Sequence, residues 1–158
     1  MELNIEQLIG QRVAEVRYYF NPENEYNLQE YYSIFKLENG MIFQIPNCAD
    51  QIWDQNNNYL MELFSKTNKI PQNTLDIFKT NKIVDFHFSY FNDAPDDEGK
   101  SIIEFDNKIF LTEKNYGPIG ITDVDMKIMT EEEFLKLKVE LEPEFQIKSY
   151  VNEIRNAV

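Results

Sequence analysis

The chain has 158 residues, the size of one domain at roughly 100–200 residues per domain. Its 15 Lys and Arg stand against 28 Asp and Glu, a formal charge of −13, which argues against direct nucleic-acid binding and against an anionic membrane surface, both of which are held by cationic side chains. Hydrophobic residues make up 42% and aromatics 14%, enough for a core and against intrinsic disorder; one Cys excludes an internal disulfide framework and fits a reducing compartment.

Met1–Glu6 is acidic and lacks a long apolar core, so no secretory signal is expected, and no apolar run nears the ~18 residues of a membrane span. A cytoplasmic location follows as the expectation. Asn4 has the side chain of a helix N-cap, with Glu6 in the first turn of a short helix. Ala14, Val16, Tyr18 and Phe20 then alternate with Glu15, Arg17 and Tyr19, the period of a half-buried antiparallel strand with the first set inward. After an acidic loop, Ser33–Phe43 reads as a hairpin, and its Asn39-Gly40 predicts a type I′ turn with positive φ at both residues. Tyr59–Phe64 reads as a short helix, and Pro71 marks the approach to a second series of elements.

That second series repeats the first. Thr74–Phe78 answers Asn4–Leu8, and Lys82–Tyr90 answers Arg12–Phe20, each seventy places on; Ser101–Leu111 answers Ser33–Phe43 at sixty-eight, two loop residues having been lost. A one-residue slip would exchange the two faces of a strand, so agreement over three segments predicts an internal repeat. Val84, Phe86, Phe88 and Tyr90 are then inward, and Asp85, His87 and Ser89 outward. Asn107-Lys108 takes the place of Asn39-Gly40, although Lys disfavours positive φ. Asn115–Gly120 reads as an irregular loop and Val124–Met129 as a further strand. Thr130 and Glu133 form a capping box that opens a helix to about Leu141, before Pro143. Ile147, Tyr150, Val151, Ile154 and Val158 recur at helical spacing and predict a second terminal helix.

The expected fold is α+β: two related antiparallel β-meander units, about 4–47 and 74–115, sharing one core within a single domain 1–158, with a short helix before each unit and a helical C-terminal region at about 130–158.

Catalytic chemistry finds little to build on. His87 is the single histidine, which excludes a multi-His metal site and reads as a surface residue paired with an acid. Cys48 has Asp50 nearby, which opposes thiolate formation, so it reads as a small buried residue. Glu131–Glu133 suit a helix N-terminus. The equivalent loops of the two units are the exception. Glu23, Glu25 and Glu30 lie in one, Asp93, Asp96, Asp97 and Glu98 in the other, and Tyr26 and Tyr32 flank the first. Asp93–Gly99 lacks the ligand spacing of a calcium loop, and no cofactor or metal is expected. Acids beside tyrosines suit a protein-binding surface, and these nine residues are the predicted partner-binding set.

With its small size, its acidic balance and the hairpin Phe35-Lys36-Leu37-Glu38-Asn39-Gly40-Met41-Ile42-Phe43, the chain resembles the small acidic immunity proteins that bacteria encode beside polymorphic or contact-dependent toxins. The resemblance implies a non-enzymatic inhibitor that binds a basic partner, a cognate toxin, in the cytoplasm. A homodimeric scaffold and a carboxylate-dependent enzyme are the alternatives from other classes.

Overall fold

The computed structural model describes residues 2–21, 30–54, 58–69, 76, 79–96, 101–113 and 126–156. β1 (Glu2–Leu3) leads into a one-turn helix, α1 (Ile5–Leu8), which Asn4 starts by a reciprocal pair of bonds: its side chain accepts the Gln7 N–H while the Gln7 side chain accepts its own. Ile5 and Leu8 face the core. β2 (Val13–Asn21) pairs antiparallel with β3 (Glu30–Leu37), which turns into β4 (Ile42–Gln44). β5 (Trp53–Asp54) pairs with β1. Helix α2 (Asn58–Lys66) and β6 (Asn68–Lys69) follow, and β6 completes a sheet of order β4-β3-β2-β6.

The second sheet contains β7 (Ile83–Phe91), β8 (Ala94–Pro95), β9 (Ile102–Phe105), β10 (Ile109–Glu113), β11 (Met126–Thr130) and β12 (Gln146–Ser149), in the order β11-β10-β9-β7-β12, with β8 paired to the end of β7. Helix α3 (Glu131–Leu141) lies between β11 and β12 and is started by the Thr130–Glu133 capping box. The protein is thus α+β, with two antiparallel sheets and few helices among the described residues. No helix there is long and apolar enough to cross a membrane.

The two sheets bury their main core against each other. Val13, Val16, Phe35, Leu37, Phe43 and Ile45 from the first meet Ile83, Phe86, Phe88, Ile103, Phe105 and Leu111 from the second. The outer face of each sheet carries a helix. Leu63 and Phe64 of α2 cover Ile34, and Phe134 of α3 packs with Ile102, Phe110, Met129 and Ile147.

Each sheet has a bulge at the start of its long strand. Val13 pairs with Leu37 and Glu15 with Lys36, leaving Ala14 as the extra residue of a β-bulge; Ile83 pairs with Phe105 and Asp85 with Glu104, leaving Val84. Phe35↔Phe43 and Ile103↔Leu111 correspond likewise. The sheets join at an antiparallel bridge between Arg12 and Lys82. The bonds around it are reciprocal: Gly10 N–H donates to Ile83 C=O at 2.7 Å as Thr80 N–H donates to Val13 C=O at 3.2 Å. β2 and β7 therefore leave the bridge in opposite directions.

Three expectations need correction. The bulge shifts the inward set of β2, so that Val13 and Val16 are buried while Ala14 is only half-buried. At Asn39-Gly40 only Gly40 has positive φ (+91°), with its N–H bonded to the Leu37 C=O. The connection is a three-residue loop with a left-handed last residue, not a two-residue type I′ turn. The predicted second terminal helix is instead strand β12 followed by a π-helical turn, Tyr150–Ile154, because the Ile147–Ser149 backbone finds the open edge of β7. Glu6 then fastens this terminus to α1, accepting from the Tyr150 hydroxyl at 3.0 Å and from Arg155 at 2.8 Å. The short helix expected at Thr74–Phe78 lies outside the described residues except for Asp76, which is helical.

Lys108 takes the left-handed position in the β9–β10 loop, at φ +66°, as Gly40 does in the β3–β4 loop. A Cβ there costs about 1–2 kcal/mol, partly offset by the greater unfolded-state freedom of glycine. Lys108→Gly is expected to stabilise the protein by about 0.5–1 kcal/mol, read as a higher urea midpoint with an unchanged slope.

Candidate functional site

Of the predicted partner-binding set, Glu23, Glu25, Tyr26, Asp97 and Glu98 lie outside the described residues. Glu30 and Tyr32 belong to β3, opposite Asn21 and Tyr19 of β2. Asp93 and Asp96 stand on the hairpin formed by β7 and β8. Its two-residue turn, Asn92-Asp93, has φ of +50° and +64°, the left-handed pair that makes a type I′ turn, and Asn and Asp tolerate it best after glycine. Phe91 and Ala94 pair across it, and the Asp96 N–H donates to the Ser89 C=O at 2.9 Å. Residues 91–96 therefore form a hydrogen-bonded hairpin.

The chemistry at this end is acidic and aromatic. Asp93 is exposed, and Phe91 is 48% exposed although one side of its ring meets Phe145 at 5.6 Å. One strand position below, the Lys148 ammonium lies 4.6 Å above the Tyr90 ring. Burial pushes the Tyr90 phenol above its ordinary pKa, and the nearby Asp50 carboxylate and Cys48 add to the shift. Asp50 thus belongs to this acidic end although it follows β4 of the other sheet. Sequence spacing gave no sign of this, since a loop from one sheet reaches the other only through the packing of the two. The Cys48 thiol bonds to the Asp50 carboxylate and holds that acid below its usual range. Cys48 is half-buried, not buried as its residue type predicts, because it is tied to an exposed acid.

His87 also departs from expectation. It lies on the outer face of β7, but that face is covered. Its side chain is 10% exposed, and its ring sits 4.7 Å from Phe134 of α3 and 5.8 Å from Phe110. Nε2 is 2.8 Å from Glu104 Oε1 and 3.7 Å from Asp85 Oδ2. Asp85 is buried and accepts from the Phe86 N–H at 2.8 Å, from the Val151 N–H at 3.0 Å and from the Ser149 hydroxyl. The sequence placed His87 beside an acid; it could not show that α3 closes over the pair.

A carboxylate-dependent enzyme needs a deep pocket holding acids of raised pKa. Among the described residues the carboxylates whose pKa moves are Asp50 and Glu62, and both move down, Glu62 through its bond and attraction to Lys66. An open cleft of about 390 Å³ between α3 and β12 is lined by Lys138, Lys148, Glu142 and Glu153 with Gln146 and Ile147. No protein-family model, curated protein or solved structure matches the chain.

Proposed function

We propose that the protein is a non-enzymatic acidic binding protein of the immunity type, acting in the cytoplasm to neutralise a basic protein such as a toxin. The observation that carries this reading is the β7–β8 hairpin, which carries exposed Phe91 and Asp93 and half-buried Asp96 around a type I′ turn. An exposed aromatic side chain on the same hairpin as two carboxylates suits a cationic protein surface: the ring supplies buried area, and the acids supply steering and discrimination. The formal charge of −13 adds a long-range field of the same sign. We further read units 4–47 and 74–115 as copies of one duplicated unit. Of the two acidic segments read from the sequence, the hairpin of the second unit is the one we assign to the partner.

The test is binding of the full chain to the product of the adjacent gene. With Asp93 and Asp96 both changed to Lys, the association rate at low salt is expected to fall on the order of tenfold or more, with a smaller difference at high salt. An unchanged rate would remove the hairpin from the interface, and absence of any complex at low salt would overturn the immunity reading. Leu135 and Val139, one turn apart on α3 and 50% and 65% exposed, favour the alternative of a self-associating scaffold. A salt-insensitive dimer by light scattering, lost on Val139→Lys, would support that alternative instead.

A further inference from the structure

The outer faces of the two sheets differ in how their charges balance. In the first unit Glu15 pairs across strands with Lys36, and Arg17 Nε lies 2.9 Å from Glu15 Oε1 with its guanidinium 4.4 Å over the Phe64 ring. One carboxylate meets two cations beneath a helix-borne phenylalanine. At the matching registers of the second unit Asp85 pairs across strands with Glu104, His87 replaces the arginine, and Phe134 takes the place of Phe64. Here two carboxylates meet one imidazole. Directly opposed like charges destabilise a sheet, and buried carboxylates require compensation. The donors that Asp85 draws on, two backbone N–H groups and the Ser149 hydroxyl, are neutral dipoles.

We propose that Asp85, His87 and Glu104 bind a divalent transition-metal ion of the zinc class, which supplies the positive charge that Arg17 and Lys36 supply in the first unit. The three donor atoms lie within 4.8 Å of one another, with Nε2 2.8 Å from the Glu104 oxygen and 3.7 Å from the Asp85 oxygen. Donors that share one ion at roughly 2.0–2.2 Å stand about 3–4 Å apart, so the ion enters with small side-chain movements and no change in the strands. One imidazole and two carboxylates suit zinc, cobalt or iron, whereas calcium and magnesium favour all-oxygen sites. Ser149 and the Val151 N–H orient Asp85 as outer partners, so the ion would also brace β12 and the terminal turn against β7. Glu104, with its side chain 19% exposed, is the most accessible of the three and marks the side from which an ion arrives.

The experiment uses the full chain stripped with a chelator and then titrated with Zn²⁺ or Co²⁺, with Mg²⁺ and Ca²⁺ for comparison. The expected result is one ion per chain by calorimetry, a Tm rise of roughly 5–10 °C at a hundredfold excess over Kd, and visible Co²⁺ bands of a nitrogen–oxygen site. E104K installs the lysine of the first unit and should abolish the response, and E104Q and H87Q test the same point with less change of shape. The D93K/D96K variant should keep it. No one-to-one binding, a response that survives both E104Q and H87Q, or a response lost in D93K/D96K would each overturn the site.

Discussion

Phe86→Ala is expected to remove about 3–5 kcal/mol of stability, a large share of the roughly 5–15 kcal/mol that holds a domain of this kind together. Phe86 is fully buried where the two sheets meet: its ring lies 6.5 Å edge-on from Phe43 of the first sheet and 6.2 Å from Phe88 on its own strand. Each sheet turns one apolar face to the other, and that face would be left in water without its partner. Each relies on the other for cover, so a cavity at Phe86 weakens both. One urea transition is expected, with a lower midpoint and the same trace by circular dichroism and by tyrosine fluorescence. Val139→Ala on the exposed face of α3 is the control, with a change within about 0.5 kcal/mol. A loss at Phe86 below about 1.5 kcal/mol, or two separated transitions, would mean that the sheets do not share this core.

What the sequence revealed and what it hid divide along physical lines. Strand alternation, hairpin spacing and the Thr130–Glu133 cap are local features, written in neighbouring residues, and the strands and α3 were legible from them. The bulges at Ala14 and Val84 were not. An extra residue leaves no compositional mark, yet it moves the buried position from Ala14 to Val13. His87 was read as exposed because a period of two separates the faces of a strand without saying what covers each. The cover here is Phe134, forty-seven places away. At the C-terminus, Ile147, Tyr150, Val151 and Ile154 satisfy a helical spacing, but a free edge on β7 offered backbone partners that outweighed it. The candidate site shows the same division. The acidity and aromatic neighbours of Asp93 and Asp96 were visible, but not the type I′ turn at Asn92-Asp93 or the approach of Asp50 from the other sheet.

Asp85→Ala is expected to cost about 3–5 kcal/mol in metal-free protein, although it removes a single small side chain. The carboxylate joins three parts of the second sheet: it accepts from Phe86 of its own strand, from Ser149 at the end of β12 and from Val151 in the terminal turn. Alanine leaves the Ser149 hydroxyl and two N–H groups without this acceptor, and each buried donor so stranded costs about 1–3 kcal/mol. The consequence spreads, because the terminal turn is also the segment that Glu6 holds through Tyr150 and Arg155. Faster hydrogen exchange is therefore expected in β12 and residues 150–156 before the rest of the sheet. Glu15→Ala, at the matching place in the first unit, removes a partly exposed pair with Arg17 and is expected to cost about 0.2–1 kcal/mol. The contrast separates the two outer faces. Equal losses at both sites would mean that Asp85 is solvated and its donors are satisfied by water, and the brace between β7 and β12 would then rest on backbone pairing alone.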